Sequence, residues 1–349
     1  MYARSHMRLL AFELSGEHGT LPKSEVIGCV EAYGWRYRMA GDYDQLLALE
    51  TDADPAVLAG RLALTHNIIE PIFACPADET AILKNAATAD LGLAPGQSFA
   101  VRVSRVKGIG PISAAFEKEL GAAIWRRGHP VNLTRPDVRL RGIVTEGRFI
   151  FGRLVCRIDR TAFNERAPLK KPFFLPGVLM PRFSRAAVNL SRIRDGWLLD
   201  PFSGTGGILV EGGLIGPEIR VVGCDIQKKM VYGTRKNLRF YGTAFDVIRQ
   251  DSLCMGIRDG SVDAIVTDFP YGQSTPIAAA SVEQFHLGAL AEMFRALKPR
   301  RCAVVISKEP MEKLLTDVGF TVIETHRQRI HRSLTRQIVV AEKPADEGI

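Results

Sequence analysis

The stretch GWLLDPFSGTGG, residues 196–207, gives the clearest indication of the fold of the second half of this chain. GWLLD is a short apolar run that ends in Asp200, and a Gly-rich turn then leads into the apolar helical pattern GGILVEGGLIG. A strand, a Gly-rich turn and a helix in this order are typical of parallel-sheet proteins, because glycine allows a sharp turn and a close approach of the backbone to a ligand. The turn contains neither G-x-G-x-x-G nor G-x-x-x-x-G-K-[ST], so a ligand without phosphates is favoured.

Strand and helix patterns alternate on both sides of this stretch. The strand patterns are GWLLD, RVVGCD, FDVIRQD, VDAIVTD and CAVVIS, and the helical patterns are FSRAAVNLSRI, GGILVEGGLIG, KKMVYGTRKNLRFYG and EQFHLGALAEMFRAL. Two more strand patterns, FTVIETHRQRI and TRQIVVAEK, follow near the end. This alternation predicts an α/β domain at residues 182–349, in which helices cover a mostly parallel sheet.

Three acidic residues follow successive predicted strands of this domain. They are Asp200, Asp225 after RVVGC, and Asp251 after IRQ. Because the carboxyl ends of parallel strands meet at one edge of a sheet, we expect these side chains to converge on one crevice. An acid at the end of the second strand is where a nucleoside cofactor has its ribose hydroxyls bound. Each aspartate alone could instead cap a helix, but the three in order favour a ligand site.

The first 160 residues show the patterns of two α+β domains. RLLAFEL and QLLALET predict strands and SEVIGCVEAYG and DPAVLAGRLA predict helices in a domain at residues 1–75. Similar patterns, with a turn near Gly147, predict a second domain at residues 76–160. Four prolines interrupt residues 161–181, which predicts a linker to the last domain.

Composition restricts the class of protein. Hydrophobic residues make up 46% and charged residues 24% of the chain, as in globular proteins with a substantial core. No run approaches the roughly 20 apolar residues of a membrane helix, and the N-terminus lacks a signal-peptide pattern, so we expect a cytoplasmic protein with no membrane association. The six cysteines are far apart without a C-x-x-C pair, which predicts free thiols and no metal site.

Positive charge is concentrated in one region. The formal net charge is +8, and residues 101–200 hold 20 Lys and Arg against 8 Asp and Glu. The remainder of the chain is therefore slightly acidic. Such a concentration predicts a polyanionic partner, and a solvated Arg-rich face is the alternative.

Residues from about 165 to 343 resemble the class I S-adenosylmethionine-dependent methyltransferases. The resemblance implies a seven-stranded, Rossmann-like sheet with one antiparallel strand, supplied by the terminal pair of strand patterns. It implies S-adenosylmethionine as cofactor, with its methionine part at Asp200 and the Gly-rich turn, its ribose at Asp225 and its adenine amino group at Asp251. The cofactor-binding residues are then Asp200, Phe202, Ser203, Gly204, Thr205, Gly206, Asp225, Ile226, Asp251 and Ser252.

The strand pattern VDAIVTD runs directly into the segment Asp268-Phe269-Pro270-Tyr271. This segment resembles the D-P-P-Y motif of methyltransferases that act on NH2 groups, with Phe269 in place of the first proline. An arylamine lone pair is delocalised into its ring, so methyl transfer requires acceptors that hold the N–H groups. Asp268 and the carbonyl of Phe269 would be those acceptors, and Tyr271 would stack on a flat base. We expect phenylalanine to leave this loop looser than proline would. A strand that simply ends in a Pro-Tyr turn is the alternative.

The segments SFAVRVSRVKG and VNLTRPDVRLRGIVTEGRFIFGRLV resemble a THUMP domain, preceded by a ferredoxin-like unit. Together with the methyltransferase domain they resemble the archaeal type of tRNA (guanine-10-N2)-methyltransferase. The resemblance implies methylation of a guanine N2 in tRNA, once or twice, by a monomer without an activating subunit. The same chemistry at another guanine, such as position 6, and an inactive tRNA-binding protein remain alternatives. The residues expected to contact tRNA are Arg102, Arg105, Lys107, Arg135, Arg139, Arg141 and Lys171.

Overall fold

A computed structural model describes most of the chain in full atomic detail. The described residues are 7–113, 115–270, 281–331 and 334–345. Within these ranges, no helix is both long enough and apolar enough to cross a membrane.

The chain divides into two compact units that are interleaved in sequence. The first unit comprises the chain up to Lys23 together with residues 35–60 and 65–159, and the second comprises residues 24–34, 61–64 and the chain from Arg160 onward. Most of helix α1 (Leu21–Ala32) therefore belongs to the second unit, although it lies early in the sequence.

The first unit is built on one seven-stranded sheet. Its order is β2-β3-β1-β4-β7-β6-β5, and β5 and β6 form its parallel pair. The strands are β1 (Arg8–Leu14), β2 (Tyr37–Tyr43), β3 (Leu46–Thr51), β4 (Thr65–Pro76), β5 (Phe99–Arg105), β6 (Val138–Thr145) and β7 (Arg148–Arg157). The helices up to residue 160 are α1, α2 (Pro55–Arg61), α3 (Glu79–Thr88) and α4 (Phe116–Trp125), with a 3-10 turn at Val106–Gly108.

The boundary predicted between residues 75 and 76 falls at the end of a central strand. β4 pairs with β1 on one side and with β7 on the other, so the two predicted α+β domains share a single sheet. β6 and β7 form a hairpin whose turn residues Glu146 and Gly147 both have positive φ, 46° and 72°. This is the conformation of the hairpin turns that match the twist of the strands, and it agrees with the turn expected near Gly147.

The second unit is an α/β sandwich. Its strands are β8 (Gly196–Asp200), β9 (Ile219–Asp225), β10 (Phe245–Arg249), β11 (Ala264–Asp268), β12 (Cys302–Ser307), β13 (Thr321–His331) and β14 (Leu334–Glu342). Its helices after residue 160 are α5 (Thr161–Glu165), α6 (Pro181–Leu190), α7 (Gly207–Gly213), α8 (Lys228–Phe240), α9 (Val282–Ala296) and α10 (Glu312–Val318), with a 3-10 turn at Pro168–Lys170.

The strand order β10-β9-β8-β11-β12-β14-β13 confirms the predicted class I methyltransferase sheet. β8 to β12 pair in parallel, and β14 is antiparallel to β12, as expected for the terminal strands. The chain leaves β8 toward β9 and β10 and later returns on its other side with β11. Ligands of open α/β sheets bind at such a switch point, outside the carboxyl ends of the strands.

Candidate active site

A cavity of about 310 Å³ opens at this switch point. Asp200, Asp225 and Asp268 are the last residues of β8, β9 and β11, and all three line it. The structure brings the following predicted site residues together on its wall: Asp200, Phe202, Ser203, Gly204, Thr205, Asp225, Ile226, Asp251, Ser252, Asp268, Phe269 and Pro270. Gly206 lies directly before α7, and Tyr271 lies outside the described residues.

The Gly-rich turn after β8 has a fixed shape. Gly204 and Gly206 have φ of 50° and 76°, which favour glycine strongly. The Thr234 hydroxyl donates to the carbonyl of Gly204 at 2.7 Å, and the Asn237 amide donates to the carbonyl of Thr205 at 2.8 Å. Helix α8 thus holds the turn so that its backbone lines the cavity.

Asp225 is anchored by main-chain donors. Its carboxylate accepts hydrogen bonds from the N–H groups of Gly204 at 3.1 Å and Gln227 at 2.9 Å. Burial raises the pKa of Asp225, and these two hydrogen bonds oppose the rise. A carboxylate oxygen can accept more than one hydrogen bond, so Asp225 retains capacity for ligand hydroxyls.

Asp200 is a buried acid beneath the cavity. Its side chain is 2% exposed and accepts hydrogen bonds from the Thr267 hydroxyl at 2.7 Å and the Phe202 N–H at 3.1 Å. Burial raises the pKa of Asp200 to about 7, and the charges of Asp268 and Asp225 act in the same direction. A cationic ligand in the cavity would favour the ionised form.

Asp251 lies two residues beyond the end of β10 rather than within the strand. Its side chain is exposed and accepts a hydrogen bond from the Leu253 N–H at 2.9 Å. Ser252 is 7% exposed. These residues form the wall of the cavity beside β10.

Phe269 anchors the segment after β11 instead of loosening it. Its N–H donates to the carbonyl of Ile306 at 2.8 Å, a hydrogen bond that proline cannot make. Its ring is 1% exposed, with its centroid 4.8 Å from the Phe202 ring and 5.3 Å from the edge-on ring of His286. The expectation of a looser loop is therefore wrong at this position.

Arg336 places a cation beside the candidate catalytic carboxylate. A guanidinium nitrogen of Arg336 on β14 lies 3.9 Å from an Asp268 carboxylate oxygen and donates to the carbonyl of Gly177 at 2.8 Å. The side chain is 6% exposed, so the positive charge is buried beside Asp268. No local sequence pattern signals this residue, because it comes from the strand next to β12.

The cavity also includes residues that the sequence did not single out. They are Leu175, Pro176, Gly177, Val178, Leu179, Pro201, Ser184, Gly207, Ile208, Gln227, Met230, Gln250, Leu253 and Phe285. Residues 175–179 belong to the segment 161–181 predicted as a linker. This segment contains α5 and a 3-10 turn. It belongs to the second unit.

Five of the seven predicted tRNA contacts are exposed on the first unit: Arg102, Arg105, Lys107, Arg135 and Arg139. Arg102 pairs with Glu117 at 2.9 Å and Lys107 with Asp44 at 2.5 Å. Such exposed pairs contribute at most about 1 kcal/mol, so a phosphate can displace them at little cost.

The other two predicted contacts, Arg141 and Lys171, are less exposed than these five. Arg141 donates two hydrogen bonds to Glu13 and is 22% exposed. Burial raises the pKa of Glu13, but the hydrogen bonds and charge of Arg141, together with hydrogen bonds from Asn67 and Ser104, outweigh burial and lower the pKa. Lys171 is 7% exposed and belongs to the second unit, and the contact expected of it with tRNA stays a prediction.

Comparison with known proteins agrees with this geometry. Residues 168–338 match the family described as the RMKL-like methyltransferase domain. The tRNA (guanine(10)-N2)-dimethyltransferase of Methanothermobacter thermautotrophicus is 37% identical over 336 residues, which cover 95% of this chain and 98% of that protein. The enzyme of the same name from Pyrococcus abyssi is 34% identical over 249 residues, covering 70% of this chain and 74% of that protein.

The fold has solved counterparts. The crystal structure of TrmN from Thermus thermophilus superposes with a TM-score of 0.56 at 21% identity, covering 96% of this chain and 100% of that one. This likeness concerns the fold alone. The identity to the Methanothermobacter protein extends over nearly the full length of both chains, and the chain therefore belongs to the tRNA (guanine(10)-N2)-dimethyltransferase family.

Proposed function

We propose that this chain transfers methyl groups from S-adenosylmethionine to N2 of a guanine in tRNA. The acceptor is the guanine at position 10, and the products are N2-methylguanosine and N2,N2-dimethylguanosine. One observation carries the chemistry: the acidic end of β11, Asp268, faces the same cavity as the Gly-rich turn and Asp225. An acceptor for amine hydrogens and a nucleoside site thus adjoin each other.

The cavity has the donor set that S-adenosylmethionine requires. Asp225 suits the ribose hydroxyls, and Ile226 and Leu253 offer apolar surface for the adenine ring. Asp251 and Ser252 would contact the adenine amino group. The Ser203 hydroxyl is buried and has no hydrogen-bond partner within the described residues, as expected of a group that waits for a polar ligand. The bound cofactor would supply an electrophilic methyl group on a sulfonium.

The residues of the chain then act on the guanine amine. The Asp268 carboxylate and the Phe269 carbonyl accept its two N–H hydrogen bonds, which turns the nitrogen lone pair toward the methyl group. Asp268 takes up the proton that the amine loses. Burial of the Phe269 ring and its bond to Ile306 fix the backbone from which the second acceptor projects. In this proposal Pro270 keeps the loop extended and Tyr271 stacks on the base.

The first unit would bind tRNA. We assign residues 76–160 to a THUMP domain that follows a ferredoxin-like segment, with Arg102, Arg105, Lys107, Arg135 and Arg139 contacting phosphates. These contacts position the tRNA by shape, and the distance to the cavity selects the base. From the resemblance to the archaeal type of enzyme, we also propose an active monomer without an activating subunit, working in the cytoplasm on tRNA.

Labelled methyl transfer tests the proposal. The purified chain is incubated with methyl-labelled S-adenosylmethionine and unmodified tRNA transcripts, and the labelled nucleoside is mapped by digestion and mass spectrometry. We expect label on N2 of guanine 10. Label at another guanine, such as position 6, would keep the chemistry and refute the docking, and absence of label with intact tRNA binding would indicate an inactive binder.

A matched pair of variants tests the role of Asp268. Asp268→Asn keeps the shape but removes the charged acceptor, and we expect turnover to fall by roughly 10²- to 10⁴-fold. Asp246→Asn changes an exposed aspartate on β10 and serves as the control. Normal turnover of Asp268→Asn would contradict the mechanism.

A further inference from the structure

Lys171 is a buried cation without a direct counter-ion. Its side chain is 7% exposed, and within the described part of the chain its ammonium forms neither a hydrogen bond nor an ion pair. The nearby Glu211 carboxylate is fully buried and already bound by Arg166 at 2.6 Å and Arg185 at 3.1 Å. Three cations thus surround one anion. Leaving such a charge unpaired is costly, which indicates that an anion completes the cluster when a ligand is present.

The ammonium of Lys171 lies beside Gly207, a residue of the cavity wall, while Lys171 itself is not one of the lining residues. A methyl group placed on Gly207 would lie 3.6 Å from Lys171 Nζ and 3.8 Å from Ser184 Oγ. Gly207 and Ser184 both line the cavity. The two polar atoms therefore approach the same small space, which only the lack of a side chain at Gly207 leaves open.

Ser184 is a second polar group that lacks a partner at this point. It is fully buried on α6, and its hydroxyl makes no hydrogen bond to any described residue. A buried hydroxyl and a buried ammonium that share one space are two donors for a small anion. The ammonium and the hydroxyl together match a carboxylate, which accepts on both of its oxygens.

We propose that Lys171 and Ser184 bind the carboxylate of the amino-acid part of S-adenosylmethionine. This inference rests on the proposed function, because it concerns the same cofactor. Asp200, at the end of β8 where the turn begins, also lines the cavity, and in its ionised form it repels a carboxylate and attracts the ammonium and sulfonium groups. The amino-acid part is a zwitterion, so Lys171 and Asp200 together orient it. Lys171 is thereby a cofactor-positioning residue and not a tRNA contact.

Two ligands separate this role from a general structural one. S-adenosylhomocysteine carries the amino-acid group, and 5′-methylthioadenosine has the same nucleoside and thioether without it. Calorimetry of the full chain gives both dissociation constants. For Lys171→Met we expect S-adenosylhomocysteine to bind about 30-fold or more weakly, as for truncation of a buried ion pair. Binding of 5′-methylthioadenosine and of tRNA should be unchanged.

Three further variants sharpen the test. Lys170→Met alters the neighbouring lysine, which is exposed and pairs with Glu165, and both ligands should bind to it as to the wild type. Ser184→Ala should weaken S-adenosylhomocysteine alone by about 10-fold, the usual effect of one hydrogen bond to a charged group. Lys171→Arg keeps the charge and should recover most of the affinity.

Several results would overturn the inference. Equal weakening of both ligands in Lys171→Met would show that Lys171 only supports the cavity. Unchanged affinity for both, or a selective loss of tRNA binding, would also refute it. If Lys171→Met fails to fold, the same comparison on Ser184→Ala decides, because that change leaves the ion cluster intact. Failure of the wild type to bind either ligand would instead refute the proposed cofactor itself.

Discussion

Replacement of Asp200 by asparagine should make this protein less sensitive to pH. Asp200 is buried at the end of β8, and burial raises its pKa from the ordinary value of 3.8 to about 7. Between these two values the folded state holds a proton that the unfolded state releases. The raised pKa therefore contributes stability that is complete below the unfolded pKa and is lost as the pH rises through about 7.

The size of the effect follows from the shift. Three pKa units correspond to about 4 kcal/mol, of which about 3 kcal/mol is lost between pH 5 and pH 8. Asparagine is neutral throughout this range and can still accept from Thr267 and the Phe202 N–H. Between pH 5 and pH 8, the free energy of unfolding should therefore fall by about 3 kcal/mol more in the wild type than in Asp200→Asn.

Thermal unfolding of the ligand-free protein measures this difference. For a unit of this size, about 3 kcal/mol corresponds to a relative shift in Tm of roughly 6 to 12 °C. Asp246→Asn, at an exposed position on β10, should follow the wild type and controls for the loss of one negative charge. Parallel Tm profiles of wild type and Asp200→Asn from pH 5 to pH 8 would show that Asp200 does not retain a proton in the folded state.

Three other perturbations test separate features. Phe269→Pro restores the common motif but removes a backbone hydrogen bond and a buried ring. Urea unfolding should therefore show that the free energy of unfolding falls by about 3 to 5 kcal/mol. Unchanged stability would contradict the anchoring role of Phe269. Gly206→Ala places a Cβ 2.8 Å from Thr234 Cγ2 at a φ of 76°. Calorimetry should therefore show at least about 10-fold weaker binding of S-adenosylhomocysteine to this variant. Gly216→Ala is the control, because a Cβ there meets no atom within 4 Å, and it should bind S-adenosylhomocysteine like the wild type. The double variant Arg135→Ala with Arg139→Ala should bind tRNA more weakly and bind the cofactor with unchanged affinity. The slope of log affinity for tRNA against log salt concentration should fall by the equivalent of up to about two phosphate contacts. An unchanged slope would show that these residues do not contact tRNA.

Two features of the site could be predicted only in part from the sequence. The motif after β11 was enough to predict a role for Asp268. It could not predict the partners of Phe269, because the carbonyl of Ile306 comes from β12 and the rings of Phe202 and His286 come from a turn and a distant helix. Arg336 likewise reaches Asp268 only because β14 inserts beside β12. These contacts depend on which strands become neighbours, and a local pattern carries no such information.

Local sequence patterns were enough to predict the α/β character of residues 182–349, the strand ends at Asp200, Asp225 and Asp268, and the Gly-rich turn. These features follow from short-range periodicity and from the special conformations of glycine, which are local properties of the chain.

The way in which distant segments combine could not be predicted from such local patterns. β4 contains Pro71 and two bulges, which interrupt the alternating sequence pattern typical of a strand. It nevertheless pairs with a strand on each side and joins the two predicted domains into one sheet. Helix α1 belongs to the second unit, where the buried Glu25 accepts hydrogen bonds from the N–H groups of Ala63 and Leu64 and from Asn189. Lysine side chains are usually exposed, but the packing around Lys171 buries it. Burial and strand pairing are sums over non-local contacts, and they override the preference of any single residue.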